Sequence, residues 1–163
     1  MECSSGSDAV DSDAVDLPTL FADLVRCETR LYNAVNDRLR ERHGIVASQF
    51  EALRFLRDHP EARVADLAAE FAAGIGAISK GVDRLVARGW VVRRPHPSDR
   101  RSSVLALTED GARLVTAADE SFAQRLTELF GAIAPDASLP AVARTLARLR
   151  GELERGRIGM PAG

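Results

Sequence analysis

Ile78-Ser-Lys-Gly-Val-Asp-Arg-Leu-Val-Ala-Arg-Gly-Trp-Val-Val-Arg-Arg94 is the stretch on which the fold turns. Ile78, Val82, Leu85 and Val86 fall at i, i+4, i+7 and i+8, which places them on one apolar helix face. Lys80, Asp83, Arg84 and Arg88 lie on the other side, so the cations point outward together. Gly89 tolerates the left-handed conformation that ends a helix. Trp90-Val91-Val92 then begins a strand, and Val104, Leu105 and Leu107 supply its partner. Upstream, Val64-Ala-Asp-Leu-Ala-Ala-Glu-Phe71 predicts a short helix. The segment Ala72-Ala-Gly-Ile-Gly-Ala77 is then the turn of a helix-turn-helix.

Between the two strands lies Arg93-Arg-Pro-His-Pro-Ser-Asp-Arg-Arg101. Pro95 and Pro97 cannot donate ladder hydrogen bonds, so they are expected to lift the segment off the sheet as a projecting hairpin loop. Four arginines in one loop have no reason to fold onto an apolar core, and a polyanion is the partner they fit. Helix-turn-helix plus basic hairpin is a winged helix, whose second helix enters a major groove while the wing reaches a neighbouring minor groove. The same fold used for protein contact would call for an apolar or mixed wing, which the arginines argue against.

The order Val82-Asp-Arg-Leu85, Arg88-Gly89, Asp99-Arg-Arg101 and Leu105-Ala-Leu-Thr-Glu-Asp-Gly111 resembles the MarR family of bacterial transcription regulators. The likeness runs more loosely from about Leu17 to Leu153. It implies that Arg101 enters the minor groove and that Asp99 braces it; a carboxylate two residues away suits holding a guanidinium fork in one orientation. It also implies a homodimer on double-stranded DNA and a small-molecule effector, often an aromatic or phenolic acid, between the dimerisation helices and the winged domain. One departure lies in the turn, where relatives place a glycine near Ala72 and polar groups near Gly74 and Ile75. Base reading then falls on Ser79, Lys80 and Arg84, with Ile75 available to a thymine methyl and Gly76 to a phosphate. Arg88, Arg94, His96, Asp99, Arg100 and Arg101 complete the expected DNA-binding set.

Charge supports this placement. The chain of 163 residues carries a net charge of −2, but residues 1–16 contain Glu2, Asp8, Asp11, Asp13 and Asp16 and no base. They hold −5, which leaves +3 for the remainder. From Lys80 to Arg101 seven cations face two acids, the concentrated footprint of a nucleic-acid binder.

The flanks predict a mainly α fold: a winged helix-turn-helix with a small antiparallel β wing, and a helical dimerisation region formed by N- and C-terminal helices. Residues 1–16 read as a disordered acidic tail, and 17–47 as an N-terminal dimerisation helix with Leu20, Leu24 and Leu31 on its apolar face. The DNA-binding domain is expected over 48–107, opening with Ser48-Gln-Phe-Glu51 as a capping box. Glu51 has a second reading as a polar pocket residue, and the cap is preferred. Thr108 should cap a helix running to about Ile133. Leu139, Val142, Leu146, Leu149 and Leu153 then step by 3, 4, 3 and 4 in a last helix, an a/d seam for packing on a second subunit. These C-terminal dimerisation helices span 108–157, and 158–163 read as a frayed tail.

No phosphate-binding glycine loop, His-Glu-x-x-His pair or nucleophile elbow occurs, so neither an enzyme nor a cofactor is expected. His43, His59 and His96 are too scattered for a metal site. No apolar run approaches a membrane span and the first residues lack a secretory pattern, so a cytoplasmic protein is expected. Cys27 reads as a small buried hydrophobe. The alternative is a redox switch, because some members of the resembled family sense peroxides with a cysteine in this helix; there it lies nearer the helix start, among aromatic partners, whereas here only Tyr32 is close.

Overall fold

A computed structural model of the chain describes residues 15–96, 98, 103–133, 135 and 138–161. Six helices and two strands follow in the order α1 (Leu17–His43), α2 (Ala47–Asp58), α3 (Val64–Glu70), α4 (Ile75–Ala87), β1 (Val91–Pro95), β2 (Ser103–Leu107), α5 (Glu109–Phe130) and α6 (Leu139–Arg155). The predicted fold class is the observed one. Asp99, Arg100, Arg101 and residues 1–14 lie outside the described residues.

Local chemistry sets the boundaries. Asp16, assigned above to the acidic tail, is instead the N-cap of α1, and Gly44 ends that helix at φ 64°. The expected capping box at Ser48 is not formed. Helix α2 starts two residues earlier, with Val46 as N-cap; the Gln49 carboxamide accepts from the Val46 N–H at 3.1 Å, and Asn36 Oδ1 accepts from the Ala47 N–H at 3.0 Å. Asn36 on α1 thus supplies from a distance the acceptor that a local serine was expected to provide. At the other end of the chain, α5 stops at Phe130, three residues short of the expected Ile133.

The turn before α4 bends at Ala72, whose φ is 45°. That region is unfavourable for a residue with a Cβ, and it accounts for the glycine near this position in the resembled family. Helix α4 buries Val82 and Leu85, each worth about 1.5–3 kcal/mol against exposure. It ends in a Schellman motif: the Trp90 N–H donates to the Leu85 carbonyl and the Gly89 N–H to the Val86 carbonyl, with Gly89 at φ 74°. The strands pair antiparallel from Val91↔Leu107 to Pro95↔Ser103. Pro95 therefore closes the ladder rather than leaving it. One further bond, Leu105 N–H to the Ala62 carbonyl at 2.8 Å, ties β2 to the segment before α3.

The core takes Leu39 from α1, Phe50 and Leu53 from α2, Leu67 from α3, Leu85 from α4, Leu105 from β2 and Val115 from α5, all essentially inaccessible. Helix α1 lies along α5, where Arg38 pairs with Glu128 at 2.8 Å and His43 Nε2 meets the buried Ser121 hydroxyl at 2.8 Å. Arg57 of α2 pairs with Asp119 of α5. Helix α6 buries no residue at all. Its seam residues Val142, Leu146, Leu149 and Leu153 are 39–48% exposed in the single chain.

Thr108 caps α5 as expected, accepting from the Gly111 N–H at 3.0 Å, and also donates to the Gly89 carbonyl at 2.7 Å. A Cβ on Gly111 would sit 2.1 Å from the Trp90 carbonyl oxygen, whereas one on Gly81 would meet nothing within 4 Å. The same substitution should therefore have opposite signs at the two sites. In urea unfolding, Gly111→Ala should lose at least about 2 kcal/mol by overpacking, and Gly81→Ala should gain roughly 0.8–1 kcal/mol of helix propensity.

Candidate nucleic-acid interface

The outward face of α4 carries Lys80, Arg84 and Arg88, all exposed, with Ser79 half-buried beside them. Ile75, the first residue of the helix, is 61% exposed, which leaves it free for a contact outside the chain. Gly76 is equally open, with nothing within 4 Å of an added Cβ. The structure thus brings Ile75, Gly76, Ser79, Lys80 and Arg84 together along one helix. Arg88 behaves differently. Its guanidinium lies over the Trp90 ring at 4.3 Å from the centroid, a cation–π contact that orients it at the base of the wing.

On the wing, Arg94 is exposed and His96 half-buried; His96 Nδ1 accepts from the Ser98 N–H at 3.2 Å. Arg93 turns back to α4 and bonds Asp83 Oδ1 at 2.7 Å. This pair was not foreseen from the sequence. It takes one arginine of the wing out of the free cation set and cancels the one carboxylate on the outward face of α4, so the face is more uniformly positive than its composition suggests. A strand residue whose side chain crosses to a helix four residues upstream of that helix's end leaves no periodic signal.

Behind this face, two cavities sit where the winged domain meets the long helices. The larger, about 650 Å³, lies between α1, α2, α5 and α6 and is walled by Leu24, Leu31, Phe50, Phe122, Leu126 and Leu146, among others. The second, about 540 Å³, lies under α4 against Phe71, Ile78, Gly81 and Arg84. Tyr32 and Glu51 border both. Glu51 is therefore a pocket residue and not the capping-box acid preferred above, because the cap formed two residues earlier. Burial first, then the nearby Glu28 carboxylate, raise the Glu51 pKa, with Arg54 opposing. Burial and Glu51 likewise raise that of the Tyr32 phenol, with Ser48 opposing. A sequence signal existed: Leu24, Glu28, Leu31 and Val35 step by 4, 3 and 4, so an acid interrupts the apolar stripe of α1.

Cys27 is exposed and lines the larger cavity, which corrects the expectation of a buried hydrophobe. One turn of α1 rotates it to the rim of the cavity rather than into the core. Of the expected dimerisation residues, Leu20, Leu146, Leu149 and Leu153 are exposed, while Leu24 and Leu31 are half-buried on the cavity wall. Among the described residues no group of His, Cys, Asp or Glu could hold a metal ion, and no helix is long and apolar enough to cross a membrane.

Comparison with known proteins agrees with this geometry. The sequence model of the MarR family matches residues 45–103, from the start of α2 to the first residue of β2. The multiple antibiotic resistance protein MarR of Salmonella typhimurium is 31% identical over 101 residues, covering 58% of this chain and 70% of that protein. The chain belongs to the MarR family. The transcriptional repressor NicR of Pseudomonas putida is 32% identical over 108 residues, covering 66% of this chain and 68% of its own length. Among solved MarR-type structures, the repressor CouR bound to a 23-mer DNA duplex superposes with a TM-score of 0.66 at 27% identity, covering 82% of this chain and 99% of CouR. The protein is a MarR-family transcriptional regulator.

The raised pKa of Glu51 has a consequence for stability. A carboxyl that holds its proton more tightly in the folded chain contributes a penalty that grows as pH rises from the ordinary carboxylate range through the raised value. Glu51→Gln should therefore unfold at higher urea than the wild type near about pH 7.5, with the difference closing towards about pH 4.

Proposed function

We propose that this MarR-family regulator is a ligand-responsive homodimeric repressor of a pseudo-palindromic operator. The observation that carries the reading is the pairing of two exposed surfaces on one chain. One is the cationic outer face of α4 beside the β1–β2 wing, and the other is the uncovered apolar seam of α6. In this reading residues 48–107 form the DNA-binding unit, and 17–47 with 108–157 form the dimerisation region. Leu20, Leu146, Leu149 and Leu153 then pack on a second subunit, as a face of this kind requires.

Two recognition helices would enter successive major grooves with half-site centres about 34–36 Å apart. Ile75, Gly76, Ser79, Lys80 and Arg84 would read or position the groove. Arg94, His96, Arg100 and Arg101 would follow the backbone and minor groove, with Asp99 bracing Arg101. An effector held between the long helices and the winged domain would favour a dimer whose spacing no longer fits the operator, which lowers affinity by population shift. The two cavities behind α4 support that placement.

Selection of duplexes from a random pool, followed by titration of the best one at several salt concentrations, tests this directly. A defined inverted repeat, a dimer in light scattering and a steep salt slope are expected. Arg101→Ala should weaken binding by about 1–3 kcal/mol and flatten the slope by about one unit. Recovery of no motif, with Arg101→Ala binding like the wild type, would remove the reading.

Exposure of Cys27 at the cavity rim favours one second reading, a redox-sensing regulator of the same fold. Peroxide should then release DNA from the wild type and not from Cys27→Ser; equal release from both would exclude it.

A further inference from the structure

The larger cavity carries a chemical signature in its lining. Glu28 and Glu51 face it, and no arginine, lysine or histidine does among the described residues. Tyr32, Phe50, Phe122 and Phe130 also line it. Those are four of the eight aromatic rings in the chain, which has six Phe, one Tyr and one Trp, so rings are concentrated here well beyond their share. Arg54 stands outside that lining, over the Phe122 ring at 5.6 Å from the centroid and paired with Asp119 at 3.8 Å; its charge lowers the Glu51 pKa but does not undo the net rise that burial causes.

An anionic ligand entering this space would lose hydration and meet two carboxylates with no counter-ion in the wall. A neutral ring system would gain burial alone. A cation would gain both a carboxylate partner and aromatic faces, the combination that recognises ammonium groups. We propose that the larger cavity selects an apolar monocation, an aromatic or alkyl amine or quaternary ammonium, with its nitrogen against Glu51 and the Tyr32 ring and its hydrocarbon body along Leu24, Phe122 and Leu126.

This rests on the effector reading above and names the charge class of the effector. It departs from the aromatic and phenolic acids that the family resemblance implied. Glu51 is the selecting residue because it is half-buried and borders both this cavity and the second one under α4. Glu28 is exposed, so water screens it.

The test uses the full-length protein and three probes that share one ring body: 1-naphthylmethylammonium, neutral 1-naphthylmethanol and 1-naphthoate. Calorimetric titration gives affinity, and peptide-resolved alkylation of Cys27 reports occupancy at the cavity wall. The ammonium probe should bind at least about tenfold tighter than the naphthoate and slow Cys27 alkylation. In Glu51→Gln the ammonium should fall to the level of the alcohol while the naphthoate improves.

Naphthoate binding as tightly as the ammonium, with Cys27 protected, would overturn the charge selection and leave an effector cavity standing. Ammonium binding that Glu51→Gln does not weaken, or that leaves Cys27 unprotected, would likewise overturn it. Failure of all three probes would mean that a second copy of the chain fills the space, and both this inference and the effector reading would fall.

Discussion

The carbonyl of Trp90 is the point on which the winged-helix half of the molecule depends. It accepts the Thr108 N–H at 3.0 Å, and Gly111 packs against it with no room for a side chain. Around it converge the Schellman end of α4, the first residue of β1, the last of β2 and the cap of α5. Thr108 adds a bond to the Gly89 carbonyl. Helix α4, the β1–β2 ladder and α5 are thus fixed at one junction by short hydrogen bonds in a crowded site. Such bonds, once desolvated, are expensive to leave unmade. The arginine chemistry outside has a defined direction only because this junction does.

Much of that arrangement is legible in the sequence. The apolar spacing of Ile78, Val82 and Leu85, the glycine at 89 and the apolar run Val104–Leu107 each encode local geometry, and each element formed where its pattern lay. Thr108 is a cap whose partners are close in sequence. The misreadings share a physical cause. Ser48 looked like a cap because caps are read locally, yet the acceptor for the Ala47 N–H comes from Asn36 on another helix. Cys27 looked buried because its spacing places it near an apolar stripe, and spacing does not reveal where that stripe opens onto a cavity. Glu51 needed the three-dimensional meeting of α1 and α2 before its surroundings had any meaning. Ala72 shows the converse case, where a departure from a family pattern marked the position of an unusual backbone conformation.

Electrostatics divides the molecule into two regions. The outer surface of α4 and the wing present Lys80, Arg84 and Arg94 to solvent, where their field acts over about a Debye length of 8–10 Å. Away from that surface, the two cavities share an acid and an aromatic group, Glu51 and Tyr32. Arg84 belongs to both, being exposed on the outer face and a wall of the cavity under α4. One side chain thus joins that cavity to the cationic outer face of α4.

The Arg93–Asp83 pair bears on association itself. Binding surfaces assembled from separate elements usually surrender rotamer and hinge freedom at the moment of docking, and that loss of disorder subtracts from affinity. Here β1 is already clasped to α4 by the Arg93–Asp83 bond at 2.7 Å. The loss was incurred when the chain folded. Helix α4 and strand β1 are joined before any partner arrives.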